Sequence, residues 1–223
     1  MRSYLCNPLE IKLCNQIFEP LPQKALWWKE KNTLLLSDLH LGKITHFRKA
    51  GIALPSSGME QNFIVLNTLL ESTNAKRIFF LGDLFHSALN SEWKLFLNWR
   101  RSHASVWMSI ILGNHDILPI SNYVEADLVT VQDQWIEDGF CFRHHPSTLN
   151  ESTKEYIIAG HIHPCFRIQG RGRQSLRLPC FYFGKKQTIL PSFGHFTGGF
   201  SIEPAAGETV VCLSKNEMVR IDQ

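Results

Sequence analysis

The stretch "TLLLSDLHLGK", Thr33 to Lys43, decides how this chain folds. A run of leucines with polar residues only after it reads as a strand buried on both faces. That reading puts Asp38 and His40 at the tip of the strand. The same ending recurs four more times along the chain. "IFFLGDLFH" delivers Asp83, "SIILGNHD" delivers Asn114, His115 and Asp116, "GFCFRHHP" delivers His144 and His145, and "YIIAGHIH" delivers His161 and His163. A single such tip is a turn with a capping Asp. Functional sites of α/β sheets lie beyond the carboxyl ends of the strands. Five separate strands bringing Asp, His and Asn there argue for a site.

The segments between the tips set the fold class. Residues 59–71 carry Phe63, Leu66, Leu69 and Leu70 at helical spacing, and 92–101 reads as a second helix. Leu34–Ser37, Arg77–Leu81 and "VWMSIILGN" are buried strands, so strand and helix alternate and a mainly parallel sheet follows. Residues about 9–36 read as short strands broken at "EPLPQ", with Trp27 and Trp28 as packing residues. After about residue 127 the pattern is short strands: "LVTV", "GFCFRH", "YIIAGH", "CFRIQ", "SLRLPCFYFG", "ETVVCLS" and "EMVRI". The expected fold is α/β, a four-layer αββα sandwich of two mixed β-sheets with helices outside, as one domain over residues 1–223. No repeat, low-complexity tract or linker interrupts it.

Composition agrees with a globular protein. The chain has 223 residues, is 44% hydrophobic and carries a formal charge of +3. That charge permits an anionic substrate without demanding one. "MRSYLCNPLEIKLCN" lacks the apolar region of a signal peptide. No apolar run approaches the roughly 18 residues of a membrane span. The six cysteines, Cys6, Cys14, Cys141, Cys165, Cys180 and Cys212, include no CxxC pair. They read as reduced core residues of a cytoplasmic protein, with a disulfide framework as the alternative.

The residue types at the tips suit a pair of divalent cations. In D-x-H, residues i and i+2 face one point. Carboxylate with imidazole suits manganese, iron or zinc rather than calcium. One carboxylate can bridge two ions, and Asp83 is the natural candidate. Gly82, Gly113 and Gly160, each just before its ligand-type residue, leave room for close approach. Two ions about 3.5–4 Å apart can hold a hydroxide between them and stabilise attacking and leaving oxygens. That is the chemistry of phosphoester hydrolysis, with the bridging hydroxide attacking phosphorus.

"SDLHLG", "GDLF", "GNHD", "HHP" and "GHIHP" together resemble the motif series of the calcineurin-like metallophosphoesterases. The longer "DLHLGKITHFRKAGIALP" resembles one bacterial branch, metallophosphoesterases associated with a DNA ligase and a DEXH-box helicase and thought to act as DNA repair nucleases. The resemblance implies that Asp38, His40 and His163 bind a first metal, that Asp83 bridges, and that Asn114, His144 and His161 complete a second. It prefers His144 to His145, because the ligand of the family's H-x-P motif stands two residues before Pro146. It makes His115 the acid that protonates the leaving oxygen or stabilises the transition state. Asp116 either orients His115 or caps a turn.

The residues also separate the runner-up activities. Protein phosphatases of the superfamily carry an Arg soon after the GD motif, and "GDLFHSALN" has none. Lipid A-pathway pyrophosphatases have Arg where His115 stands. "GDLFHS" instead resembles double-strand-break repair nucleases, which makes His86 a substrate or leaving-group contact, or else a solvated loop residue. Lys43, His46, Arg48 and Lys49 read as a phosphate grip or as a solvated helix face. Arg167, Arg171, Arg173 and Arg177 read as a nucleic-acid backbone track or as a solvated hairpin tip. His103 and His195 read as structural. The expected activity is a two-metal phosphodiester hydrolase, a DNA endonuclease in repair, using manganese with iron or zinc as alternatives. A small-molecule phosphodiesterase or nucleotide phosphatase is the second reading, and a non-catalytic scaffold the third.

Overall fold

The structure is a computed structural model. It describes residues 8–49, 51, 57–86, 89–148, 153–170, 172, 174–194, 197–215 and 217–223, without the side chains of 49 and 57–59. Cys6, the side chain of Lys49, residues 50 and 52–55 of the longer signature, Arg171, Arg173 and His195 therefore lie outside the described residues.

The first half of the chain contributes β1 (Ile11–Leu13), β2 (Gln16–Pro20), β3 (Leu26–Trp28), β4 (Thr33–Leu36), α1 (Lys43–Lys49), α2 (Ser57–Thr73), β5 (Arg77–Phe80), α3 (Ser91–Ser102), β6 (Trp107–Ile111), α4 (Ile120–Glu125) and β7 (Val129–Val131). Its strands lie in sequence order in a seven-stranded sheet, antiparallel from β1 to β4 and parallel from β4 to β7. The second half adds β8 (Gln134–Glu137), β9 (Phe140–Arg143), β10 (Tyr156–Ala159), β11 (Pro164–Gln169), β12 (Ser175–Phe183), β13 (Gln187–Ile189), β14 (Phe200–Ser201), β15 (Thr209–Ser214) and β16 (Glu217–Asp222). They form a nine-stranded mixed sheet in which β9, β10 and β13 run parallel.

Alternation along the strands builds two apolar layers. In β4, Leu35 faces the second sheet, while Leu34 and Leu36 face the helices. β5 repeats this with Phe79 inward and Ile78 and Phe80 toward the helices. Phe140, Phe142, Ile158, Phe181 and Val211 meet them from the second sheet. Trp28 is fully buried there, against Phe18, Phe140 and Phe142.

α2, α3 and α4 pack on the outer face of the seven-stranded sheet through Leu66, Phe96 and Tyr123, among others. The class is α/β with two mixed sheets, as expected. Among the described residues no helix follows α4, so the helical layer lies on the first sheet. On the second, β12 and β15 bury Cys180, Val210 and Cys212 against partly buried residues of the neighbouring strands.

Cys141, Cys180 and Cys212 are buried and reduced, as expected of core residues. Cys14 differs: it is exposed in the turn between β1 and β2, where its φ is +45°. No described helix is long and apolar enough to cross a membrane.

Candidate metal centre

The two sheets present the carboxyl ends of β4, β5, β6, β9 and β10 at one end of the sandwich. Pairing continues past the strands. Asp38 N donates to Gly82 O (3.1 Å), His40 N to Asp83 O (2.9 Å) and Gly160 N to His144 O (3.1 Å). Asp38, His40, Asp83, His161 and His163 all have φ between +49° and +71°. Left-handed backbone costs a residue with a side chain about 1–2 kcal/mol, and it clusters at sites that the surrounding structure holds in place. Gly82 has φ +84°, and a Cβ there would run into the His144 ring. At Gly160 a Cβ would collide with Ser37 and Asp38. The tips of the two sheets therefore interlock through backbone.

Asp38 is fully buried and Asp83 almost so. Asp38 Oδ2 accepts from Ser37 Oγ and from His161 N (2.9 Å), but its buried Oδ1 has no hydrogen-bond partner. That oxygen lies 3.2 Å from His163 Nε2. His163 Nδ1 is 3.1 Å from Gly198 O, so Nδ1 carries the proton and Nε2 turns a lone pair toward the carboxylate. His144 repeats the arrangement. Its Nδ1 donates to Leu81 O (2.9 Å), and its Nε2 faces Asn114 Oδ1 at 3.1 Å, His161 Nδ1 at 3.0 Å and Asp83 Oδ1 at 3.5 Å. Asp83 turns its other oxygen, Oδ2, to His40 Nε2 at 3.8 Å.

Acceptors facing acceptors need a cation between them. Two groups, Asp38–His40–His163 and Asp38–Asp83–His144, gather their donor atoms within 4.8 Å. Burial holds His40 down at about 3, and burial also lowers His161 and His145. For these three rings burial favours the neutral form, which is the form that binds metal. The donor set thus fits two divalent cations.

The structure brings all seven expected ligands together, and His145 joins their edge, its ring 4.3 Å from His161. His115 sits over this group, anchored by its N–H to Asp83 Oδ1 (2.9 Å). Its ring stacks on His86 at 4.9 Å and meets His40 edge-on at 5.2 Å. Burial lowers His86 to about 4. His46 touches His86 from the exposed side, with ring centres 5.4 Å apart. Lys43 is half-buried at the start of α1. Burial lowers its pKa while Asp38 and Asp83 pull it back up, so it feels both carboxylates. Arg48 is exposed. His103 is structural, with Nδ1 at 2.8 Å from Trp99 O.

Asp116 was expected either to orient His115 or to cap a turn, and its buried carboxylate bonds backbone N–H groups. Oδ2 accepts from Asp83 N (2.7 Å) and Gly113 N (2.9 Å), and Oδ1 from Phe85 N (3.1 Å). It clamps the loop after β6 onto the loop after β5 and is a positioning residue. Burial raises its carboxyl to about 7, against the pull of the three N–H groups.

Sequence reasoning assigned no role to Ser37, Ser192 or Gly198. Ser37 Oγ bonds Asp38 and Leu81 O, and Ser192 Oγ donates to Asp38 O (2.8 Å). Ser37 adjoins the first motif, which was a usable signal. Ser192 and Gly198 carry none, since only folding brings them to Asp38 and His163. Two clefts flank the centre, one of about 370 Å³ beside His163 and one of about 460 Å³ beside Asn114 and His144.

The family model for calcineurin-like phosphoesterases matches residues 31–179. No curated protein matches the sequence. Among solved structures, the Pseudomonas putida nuclease MPE is 28% identical, with a TM-score of 0.81, covering 96% of this chain and 100% of its own. Yfce, a phosphoesterase from E. coli, is 15% identical, with a TM-score of 0.47, covering 85% of this chain and 97% of its own.

Proposed function

This chain belongs to the calcineurin-like phosphoesterase family, and from that premise we propose that it is a two-metal phosphodiesterase acting on DNA. Membership makes it a metal-dependent phosphoester hydrolase. The observation that carries the two-metal reading is Asp83, which turns one oxygen toward His40 and the other toward His144. In this reading Asp38, His40 and His163 hold one ion, Asn114, His144 and His161 hold the other, and Asp83 serves both. Manganese suits this mixture of imidazole, carboxylate and amide. When bound, the ions supply an activated water and neutralise charge on the phosphoryl oxygens.

The chain's own groups do the rest. Asp116 fixes the backbone of Asp83 and Gly113, so the carboxylate and the His115 loop keep one geometry. His115 stands beside the ligands, where a leaving oxygen needs a proton. His86 stacks behind it and limits its rotation. Lys43 and His46 line the approach on α1 and contact substrate phosphate, with Arg48 further out. The nuclease likeness supports DNA as substrate. The motif resemblance adds a cytoplasmic repair role as a single domain, alongside a ligase and a helicase.

The test compares single-stranded DNA, duplex DNA and bis-(p-nitrophenyl) phosphate, with manganese and after chelation. The reading expects metal-dependent cleavage of DNA and of the diester. Efficient hydrolysis of the diester or of a nucleotide with no cleavage of either DNA moves the assignment to a small-molecule enzyme. Activity that survives exhaustive chelation ends the metal reading.

A further inference from the structure

The cleft beside His163 is lined by Lys24, Cys165, Arg177, Thr197 and Gly198 as well as by His163. Lys24 comes from the turn before β3, far from every motif, with φ +65°. Burial holds its amine below the ordinary lysine value, against the pull of Cys165. Among the described residues no acid pairs with Lys24, Arg167 or Arg177. A half-buried cation without a counter-ion is a costly feature for the protein to keep unless an anion visits it.

The neighbouring β11–β12 ribbon extends this charge. Arg167 lies directly opposite Arg177 in the antiparallel register, and both are exposed. Like charges directly opposite each other destabilise a sheet. The face is continuous with the cleft, because Cys165 and Pro179, the next pair on the same face two residues back, also line it. The other face turns Phe166, Ile168 and Leu178 into an apolar cluster. From residue 156 to 202 the sequence has six Lys or Arg (Arg167, Arg171, Arg173, Arg177, Lys185 and Lys186) and no Asp or Glu. Such a stretch repels polyanions nowhere along its length. Three residues of strand, about 10 Å, separate Pro164 beside His163 from Arg167.

We propose that the Lys24–Arg177 cleft and the Arg167/Arg177 face of β11–β12 form a track for the phosphate backbone of a polynucleotide strand leaving the metal centre past His163. The track rests on the DNA reading above and says which way the strand runs. It makes long substrates better than short ones without adding chemistry.

The test uses the full chain, wild type, Arg167→Glu/Arg177→Glu, and a control Arg101→Glu at the exposed end of α3. Binding of a labelled single-stranded DNA oligonucleotide is followed by anisotropy against salt in the presence of chelator, so no turnover enters. The double variant should bind at least about tenfold more weakly. Its log–log salt slope should flatten by about 1.4, at about 0.7 for each phosphate that is no longer neutralised. The control should match wild type. With manganese, kcat/KM for the oligonucleotide should fall about tenfold further than kcat/KM for bis-(p-nitrophenyl) phosphate.

Unchanged affinity and slope in the double variant overturn the track while wild-type cleavage leaves the nuclease reading standing. An equal loss in the control, or equal losses on both substrates, also overturns it. Track-dependent binding with no cleavage by the metal-loaded wild type supports the track and removes the nuclease reading. Lys24→Gln, which removes the charge but keeps a polar side chain, should weaken binding by itself without lowering the melting temperature; unchanged binding removes Lys24 from the track.

Discussion

At one end of the sheets Arg77 grips Glu137 through paired bonds of 2.8 and 2.7 Å, and Lys31 meets Asp138 beside them. At the other end Asp38 is fully buried, and one of its oxygens has no donor at all. The strands are the same strands. Arg77 begins β5, and Asp83 lies just past its end. Both ends join the two sheets, but the first does so with opposite charges in contact. The second gathers carboxylates and imidazole lone pairs that face one another. The first end is complete as it stands, whereas the second needs cations to be electrostatically complete. Stability and function are thus divided between opposite ends of one fold.

The contrast is broken most severely at Asp83. Asp83→Asn keeps the shape but removes a charge that serves both candidate ions. Metal stoichiometry, read by elemental analysis of the dialysed protein, should drop below that of wild type. Activity should fall about a thousandfold or more, since metal ions supply several kcal/mol of transition-state stabilisation. Chelation of the wild type should do the same. Glu137→Gln should leave the stoichiometry untouched. Full metal content and full activity in Asp83→Asn would falsify the bridging role.

His115 separates holding metal from using it. His115→Ala should keep the stoichiometry and lose about 100- to 10,000-fold in turnover on an alkyl diester. The loss should shrink on a nitrophenyl ester, whose leaving group needs no proton. Equal losses on both esters would remove the acid role. His86→Ala should cost less, because the ring supports His115 from behind.

Asp116 belongs to the metal end but works as the other end does, through satisfied bonds. Asp116→Ala strands three N–H donors, two buried and one partly buried, so urea unfolding should show a loss of about 2–3 kcal/mol. Asp116→Asn should recover only part of this, because its amide turns donors toward donors. A destabilisation near zero would mean that water replaces the carboxylate and that the clamp is unimportant.

What the sequence made legible follows from the same division. The five tips stood out because each ends an uninterrupted apolar run, and a buried parallel strand cannot hide that pattern. α4 was not foreseen, since Ile120 and Val124 are exposed and only Tyr123 of that helix is buried. β13 and β14 are three and two residues long, too short for any periodicity. The Asp116 clamp was open from sequence alone, because a carboxylate after a turn can face a ring or a backbone with equal ease. Ser192 and Lys24 carry no motif. Their roles come from the folded arrangement, which joins positions 154 residues apart in the case of Ser192 and Asp38.

The smallest effect lies at the paired end and has its own pH signature. Arg77 holds the Glu137 carboxyl below its usual value, with Trp135 and Lys31 helping, although burial opposes them. A carboxylate with a depressed folded-state pKa contributes stability above its unfolded pKa, about 4.3. That contribution is lost as pH falls through the folded value. Glu137→Gln should therefore cost about 1 kcal/mol at pH 7, the upper range for a partly exposed pair. The gap between variant and wild type should begin to close below about pH 4 and should narrow in high salt. Arg77→Ala should cost more than Glu137→Gln, because Arg77 also covers the Phe79 and Trp107 rings at 4.7 and 5.3 Å. A gap that stays constant from pH 7 to pH 3 would mean that shape rather than charge joins the sheets at this end, and the contrast between the two ends would then rest on the metal centre alone.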